Sequence, residues 1–390
     1  MMKVGIIVQR YGKDVLGGAE TLAKNVAEKL SESGFVVTVF TTAAKDYITW
    51  KDEFKTGESI LKGVLIKRYS VKQERNIEEF NRFSEKFFQT EIKDRDEERW
   101  IREQGPYSPD LIEGLKDSEK DIDVFIFFTY LYYTTVEGLK AVSKPAVLFP
   151  TAHDELPIHM SLMQDVFKRP DSIFFLTGAE MNFIRQKFNP RKGMDLIRTG
   201  VSFSESIKRG LFRNNYTQYF PYILYAGRIE AGKGLETVFN AFREIRKTRL
   251  VDLVLIGKKL MDIPDVEGIK YLGYISEEEK LDAFREAILS VQPSPYESLS
   301  FTTLESFSQK TPVLVNRKSE VLYEHTLLSK GGLSYENEQE LIDGFETIYE
   351  DKKLKKKMGI DGYKYLMANF TWDVVVDNIK KSLDRLVKNN

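Results

Sequence analysis

At 390 residues with 42% hydrophobic content, the chain is long enough for two cores, and two domains are the default. Its 58 Lys and Arg stand against 59 Asp and Glu, so no global field selects nucleic acid. The lack of cysteine excludes disulfides and thiolate metal sites, and three histidines leave little for a histidine-rich metal centre. The N-terminal run Met1 to Arg10 is too short in apolar residues for a signal peptide, and no later run reaches bilayer length. A soluble cytoplasmic protein is expected, with a peripheral contact at the inner face of the membrane left open.

Val4 to Val8 suits a buried parallel strand, followed by a glycine-rich loop (Gly12, Gly17, Gly18) and an amphipathic segment from Ala19 to Leu30. Strand, glycine loop, helix is how a nucleotide-binding unit begins, but the spacing is not Gly-x-Gly-x-x-Gly and the dinucleotide fingerprint fails. Gly17-Gly18 still offers unhindered backbone at a helix N-terminus, where phosphate or an acceptor could approach; a plain turn is the competing reading. Gly34 ends the helix, Phe35 to Thr41 completes a right-handed βαβ unit, and Val64 to Tyr69 is another strand. A charged, aromatic helical region from Ile77 to Arg102 then breaks the alternation. Phe80, Phe83, Phe87 and Phe88 fall on one face of it, which either packs onto the domain or touches acceptor or membrane. Asp94-Arg95-Asp96 and Asp121-Ile122-Asp123 match an Asp-x-Asp metal pattern and are set aside, the first for its highly charged helix and the second for the strand that follows it.

Alternation resumes with strand Val124 to Phe128, a helix near Tyr132 to Val142 and strand Ala146 to Phe149. His153 follows directly in Pro150-Thr151-Ala152-His153-Asp154-Glu155, where a residue beyond a parallel strand points into the ligand crevice of such sheets; a buried structural histidine is the alternative. Strand Ser172 to Leu176, helix Ala179 to Phe188 and strand Met194 to Thr199 finish the first half. Phe203 to Phe220 lacks periodicity and is the candidate linker. The pattern restarts with strand Tyr222 to Ala226, the loop Gly227 to Gly234 and a helix to Arg246. Arg228 and Lys233, five residues apart on that loop, could clamp a diphosphate or be surface charge; the order of a Walker A loop is absent.

Val251 to Ile256, ending in Gly257-Lys258, and Tyr271 to Ile275 are strands, and Ser276 with Glu279 is a capping box opening a helix to about Ala287. The apolar run Ala287 to Val291 ends in Pro293, Ser294 and Pro295, and a helix is expected from near Ser298. Glu297 and Glu305 are eight residues apart, about 12 Å on one side if the segment were all helix. Such carboxylates cannot share a proton but can hold opposite ends of an elongated ligand, with free N–H groups between them suited to an anion. A nucleoside diphosphate sugar has that layout; a core helix of Phe301, Leu304 and Phe307 with solvated glutamates is the alternative. Strand Val313 to Val315, a helix around Glu320, helices Glu338 to Tyr349 and Lys353 to Met367, and an amphipathic segment Thr371 to Val387 close the chain.

Taken together, Gly17-Gly18, His153 beyond a strand, Gly227-Arg228 with Lys233-Gly234, and Glu297-x7-Glu305 resemble the family 4 (group 1) retaining glycosyltransferases, in the same order over nearly the whole chain. The wording Pro150 to Glu155 and Pro293 to Glu305 is similar to bacterial members associated with surface polysaccharides. The resemblance implies an α/β GT-B architecture: two Rossmann-like doubly wound parallel-sheet domains facing a cleft. Residues 1–203 form the acceptor side, joined by a C-terminal helix 371–390 crossing back, and residues 204–370 bind the donor. It further implies that Glu305 holds ribose hydroxyls, Glu297 a hydroxyl of the transferred sugar, and N–H groups near Phe301 and Thr302 the distal phosphate. Arg228 and Lys233 neutralise the departing diphosphate, His153 faces the reacting carbon, Gly17 and Gly18 lie against the phosphates, and the base falls near Lys258, Tyr274 and Ile275. Ser298 and Ser300 stand where many members have glycine, a departure at the sugar end.

The implied reaction is metal-independent, retaining transfer of a hexose-type sugar from a UDP or GDP sugar to a glycan or lipid-linked acceptor, without a cofactor. Asp154 and Glu155 are the only carboxylates beside His153, so front-face attack is expected, the leaving phosphate accepting the acceptor's proton. The rivals are a nucleotide-sugar epimerase or phosphorylase on the same fold and a non-catalytic sugar-nucleotide-binding subunit.

Overall fold

Fourteen strands form two separate sheets among the described residues, which in this computed structural model are all but 16, 92–95, 191, 202–207 and 389–390. The chain divides into two units, Met1–Thr199 with Val375–Asn390, and Gly200–Val374.

The first unit holds strands β1 (Lys3–Ile7), β2 (Val36–Thr42), β3 (Gly57–Leu61), β4 (Val64–Tyr69), β5 (Val124–Phe128), β6 (Ala146–Phe149), β7 (Ser172–Phe175) and β8 (Gly193–Leu196), in the order β3-β4-β2-β1-β5-β6-β7-β8. Every pairing is parallel except β3 with β4. The Val-Phe-Ile-Phe-Phe run of β5 is buried throughout because helices cover both faces, which is why it reads as unbroken apolar sequence. Strand β3 was not expected. It lies at the sheet edge with its side chains exposed, and it reaches β4 through Lys62 and Gly63, whose φ values of 48° and 78° make the tight turn that suits a twisted hairpin.

The aromatic region expected from Ile77 to Arg102 is two helices, Ile77–Gln89 and Glu97–Gln104. Phe80, Phe87 and Phe88 close around Trp100, with ring centroids 5.6, 6.2 and 5.8 Å away, and the Arg99 guanidinium sits 4.7 Å above Phe83. These rings pack inward on the unit's core, as the packing reading requires. Asp94 and Arg95 lie outside the described residues. Asp123 instead ties β1 to β5 by accepting the Lys3 N–H at 2.7 Å.

The second unit holds β9 (Tyr222–Ala226), β10 (Asp252–Ile256), β11 (Ile269–Gly273), β12 (Leu289–Gln292), β13 (Val313–Asn316) and β14 (Gly332–Tyr335), all parallel, in the order β11-β10-β9-β12-β13-β14. The first strand of the unit therefore lies inside the sheet, and the chain reverses direction across the sheet between β9 and β12. The stretch expected as a linker is partly built into this unit. Phe212, on the helix Leu211–Tyr216, is buried against Tyr216 and Tyr222, and its N–H donates to the buried Asp282 carboxylate at 3.0 Å. Residues 203–207 of that stretch lie outside the described residues.

The last helix, Trp372–Lys388, buries Val375, Ile379, Ser382 and Leu383. Asp195 on the edge strand β8 accepts from Ser382 Oγ at 2.5 Å, Arg385 at 2.6 Å and Ser172 Oγ at 3.0 Å. No described helix is long and apolar enough to cross a membrane. Because one carboxylate serves two donors of the last helix, Asp195→Ala is expected to destabilise the first unit by about 1–3 kcal/mol. Hydrogen exchange should show the lost protection concentrated in residues 375–388; a uniform loss across the unit would contradict this.

Candidate functional site

Parallel sheets bind ligands beyond the carboxyl ends of their strands at the point where the connections diverge. In the second unit that point lies between β9 and β12, and the loops leaving both strands are pinned to each other. Gly234, at φ 74°, has no room for a side chain, since a Cβ would meet the Pro293 carbonyl oxygen at 2.3 Å. Asn316 Nδ2 donates to that same oxygen at 2.9 Å, which brings in the end of β13. On the other flank, a Cβ on Gly257 would meet the Gly227 carbonyl oxygen at 2.1 Å, and the Ile229 N–H donates to the Lys258 carbonyl at 2.8 Å.

These contacts set the charged groups. Lys233 Nζ lies 2.9 Å from Glu297 Oε1 and 3.4 Å from Ser294 Oγ, both partners of the pair being about one-quarter exposed. Arg228 is more open, pairs with Glu230 at 3.1 Å, and has its carbonyl held by the Tyr225 hydroxyl at 2.6 Å. Burial and the nearby Glu297 and Glu230 push the Tyr225 phenol up, which keeps it a neutral donor. Lys258 and Tyr274 are exposed at the ends of β10 and β11, whereas Ile275 packs partly into the core beside Phe212.

The helix expected near Ser298 begins at Phe301 and ends at Ser308. The correction has a physical cause. Ser294 Oγ donates to the Tyr296 carbonyl, and Ser300 adopts a left-handed conformation (φ 63°, ψ 76°) that no helix can include. Glu297 therefore belongs to the loop and Glu305 to the helix, so the two-turn span does not describe them. The first-turn N–H groups of Phe301 and Thr302 have no intrahelical acceptors and can meet an anion. Thr302 Oγ1 donates to Gln292 at the end of β12 at 2.9 Å, and the buried His325 donates from Nε2 to the Leu299 carbonyl at 2.8 Å, with the Tyr365 hydroxyl 3.2 Å from its Nδ1. The loop before the helix is thus held from two sides.

Glu305 is nearly buried. Burial pushes its carboxyl up and the Lys280 ammonium, 2.9 Å from Oε1, opposes this, while Oε2 is buried without a hydrogen-bond partner among the described residues. An acceptor so placed is costly unless a ligand supplies a donor. Lys280 went unseen in the sequence because its partner is 25 positions away.

Gly17, Gly18 and His153 belong to the first unit. Gly17 precedes the helix Gly18–Glu32; a Cβ on it would meet Glu20 Oε2 at 2.1 Å, while a Cβ on Gly18 would meet nothing within 4 Å. Glu20 accepts from Arg10 and Gln9 at the end of β1, two further groups that sequence reading passed over. His153 is exposed, 3.5 Å from Glu155, whose other oxygen accepts the Tyr130 hydroxyl at 2.7 Å. The loop that carries His153 is held by Glu180, which accepts the N–H groups of Ala152 at 2.7 Å and Leu176 at 3.0 Å. The Thr-x-x-Glu spacing of Thr177 and Glu180 is a capping-box signal that could have found it. Among the described residues no three His, Asp or Glu side chains group as a metal site.

Residues 212–365 match the family model described as glycosyl transferases group 1. The matched residues lie within the second unit, which over that stretch is similar to group 1 glycosyl transferases. Over 264 residues the chain is 23% identical to the uncharacterized glycosyltransferase MJ1069 of Methanocaldococcus jannaschii, an alignment covering 57% of this chain and 60% of the relative's length. Among solved structures it is similar to sucrose-phosphate synthase from Thermosynechococcus elongatus (TM-score 0.73, 16% identity, all of both chains). It is also similar to HepE of Anabaena solved with UDP and glucose (TM-score 0.68, 14% identity, 99% of this chain and 100% of that one). The fold is GT-B, two Rossmann-like parallel-sheet domains, and the second unit carries Arg228, Lys233, Glu297 and Glu305 on strand-end loops and the helix after β12.

Glu180 yields a pH test. Burial raises its carboxyl from 4.5 to about 7, against the two N–H donors. A raised pKa means the fold favours the neutral form, so this contribution is complete below the ordinary carboxylate range and lost as pH rises through about 7. Between pH 5 and 8 the stability of Glu180→Gln relative to wild type should therefore rise, by on the order of 3 kcal/mol at full expression. Parallel denaturation midpoints across that range would contradict it.

Proposed function

We propose that the chain is a retaining glycosyltransferase that moves a hexose-type sugar from a nucleoside diphosphate sugar to a glycan or lipid-linked acceptor, of the kind found in surface-polysaccharide assembly. The observation that carries this is the grouping beyond β9 and β12: an ammonium on a glycine loop against one glutamate, followed by a helix whose own glutamate keeps a buried oxygen unpartnered among the described residues.

In this reading the donor exchanges with the resting pair. Lys233 leaves Glu297 for the diphosphate, joined by Arg228 and the N–H groups at Phe301 and Thr302, and Glu297 turns to a sugar hydroxyl. Glu305 takes the ribose hydroxyls, and the exposed ring of Tyr274, with Lys258 and Ile275, lies at the base. Chemistry breaks the bond between the anomeric carbon and the diphosphate oxygen, and charge grows on that oxygen. Fixed cations and amide dipoles stabilise that charge in the role a bound metal takes elsewhere, and preorganised charge is usually the largest contribution in such a step. The acceptor hydroxyl bonds to the same face of the carbon, and its proton passes to the departing phosphate oxygen.

The HepE structure holds UDP and glucose, so UDP-glucose is the first donor to try, followed by other UDP and GDP sugars, with release of the diphosphate to water as the minimal readout. Arg228→Ala and Lys233→Ala should each lower turnover about 10²–10³-fold at an unchanged melting temperature. Full activity in the double variant would remove the cations from the mechanism, an inverted anomeric centre in the product would remove retention, and conversion of the donor sugar without transfer would favour an epimerase.

A further inference from the structure

We infer that Lys280 is a positioning residue of the donor site, holding Oε1 of Glu305 so that Oε2 is the oxygen left for the hydroxyls of a nucleotide. This rests on the donor-site reading and extends it to a residue on a different helix.

Lys280 sits on Glu277–Glu286, the helix pinned at its start by the Ser276 and Glu279 capping box. A cation in a helix's first turns opposes the macrodipole, so the placement needs a compensating partner. It has two: Glu305 Oε1 at 2.9 Å, and the exposed Glu277 at 2.8 Å one turn back. These are the charged groups facing Glu305 from that helix, Lys280 directly and Glu277 behind it. The Lys352–Asn369 helix meets the Phe301–Ser308 helix on the side of Phe307, where Gly362 and Tyr365 pack.

Glu305 is 15% exposed and Lys280 21%. In such surroundings a carboxyl without a cation takes up a proton, and a neutral carboxyl is a weaker acceptor than a carboxylate. The ammonium therefore does two things at once: it keeps the acid ionised, and it occupies the oxygen nearer the neighbouring helix. Oε2, buried and unpartnered among the described residues, is what remains. A vicinal diol satisfies it; an apolar or anionic group does not.

The test measures binding of UDP, GDP and ADP to the full chain by calorimetry from pH 6 to 9, each variant taken as a ratio to wild type at the same pH. Lys280→Met should weaken the bound diphosphate about tenfold near pH 7, and the deficit should shrink as pH rises and Glu305 ionises unaided. Lys280→Arg should keep the wild-type ratio throughout. Lys280→Gln, which retains a donor without charge, should show the same pH-dependent deficit and serves where the methionine variant does not fold. On a Glu305→Gln background, removing Lys280 should change nothing further. A deficit constant across pH, or one that persists undiminished without the Glu305 charge, overturns the inference while leaving the donor site standing. Binding of none of the three diphosphates by wild type overturns the donor-site reading, and the role of Lys280 with it.

Discussion

The close approach of two backbones, Gly234 against the Pro293 carbonyl, is the constraint on which the candidate site depends. It joins the loop that carries Arg228 and Lys233 to the loop that carries Glu297, and Asn316 fixes the same carbonyl from a third strand. With the backbones so pinned, Lys233 and Glu297 meet at a geometry that their flexible side chains would not hold alone. The neighbouring contact of Gly257 with Gly227 does the same for β9 and β10. Glycine is needed at these positions because strand ends splay only as far as their loops allow.

The two units solve a common problem in different ways. Each buries a carboxylate near a strand end: Glu180 satisfies backbone N–H groups and shapes the His153 loop, whereas Glu305 is half satisfied by an ammonium and half open. The first is a bracket and its chemistry is spent on the protein. The second retains hydrogen-bonding capacity that the protein does not use, and that residual capacity separates a binding group from a structural one.

Much of this was legible in the chain. Buried parallel strands read as apolar runs, so β5, β9 and β10 stand out, and the glycines and glutamates of the strand-end loops could be picked by position. Strand β3 was not legible, because an exposed edge strand has no apolar signature, and neither was the short helix at Phe212, whose one buried ring is too small a pattern to register as periodicity. The start of the helix after β12 was misplaced by three residues, since nothing in Ser298 to Ser300 announces that Ser300 takes a left-handed turn. Lys280 was missed because its partner lies 25 positions away, and Arg10 and Glu20, ten positions apart, because they pair only once the loop after β1 meets the start of the next helix.

Asp195 waits on β8 for donors that lie nearly two hundred residues further along the chain. The first unit is thus assembled from two stretches far apart in the sequence, residues 1–199 and 375–390, with the second encoded between them. During synthesis this sheet emerges well before the helix that closes on its edge. The first unit's sheet must therefore stay without its edge helix while the whole of the second unit is being made.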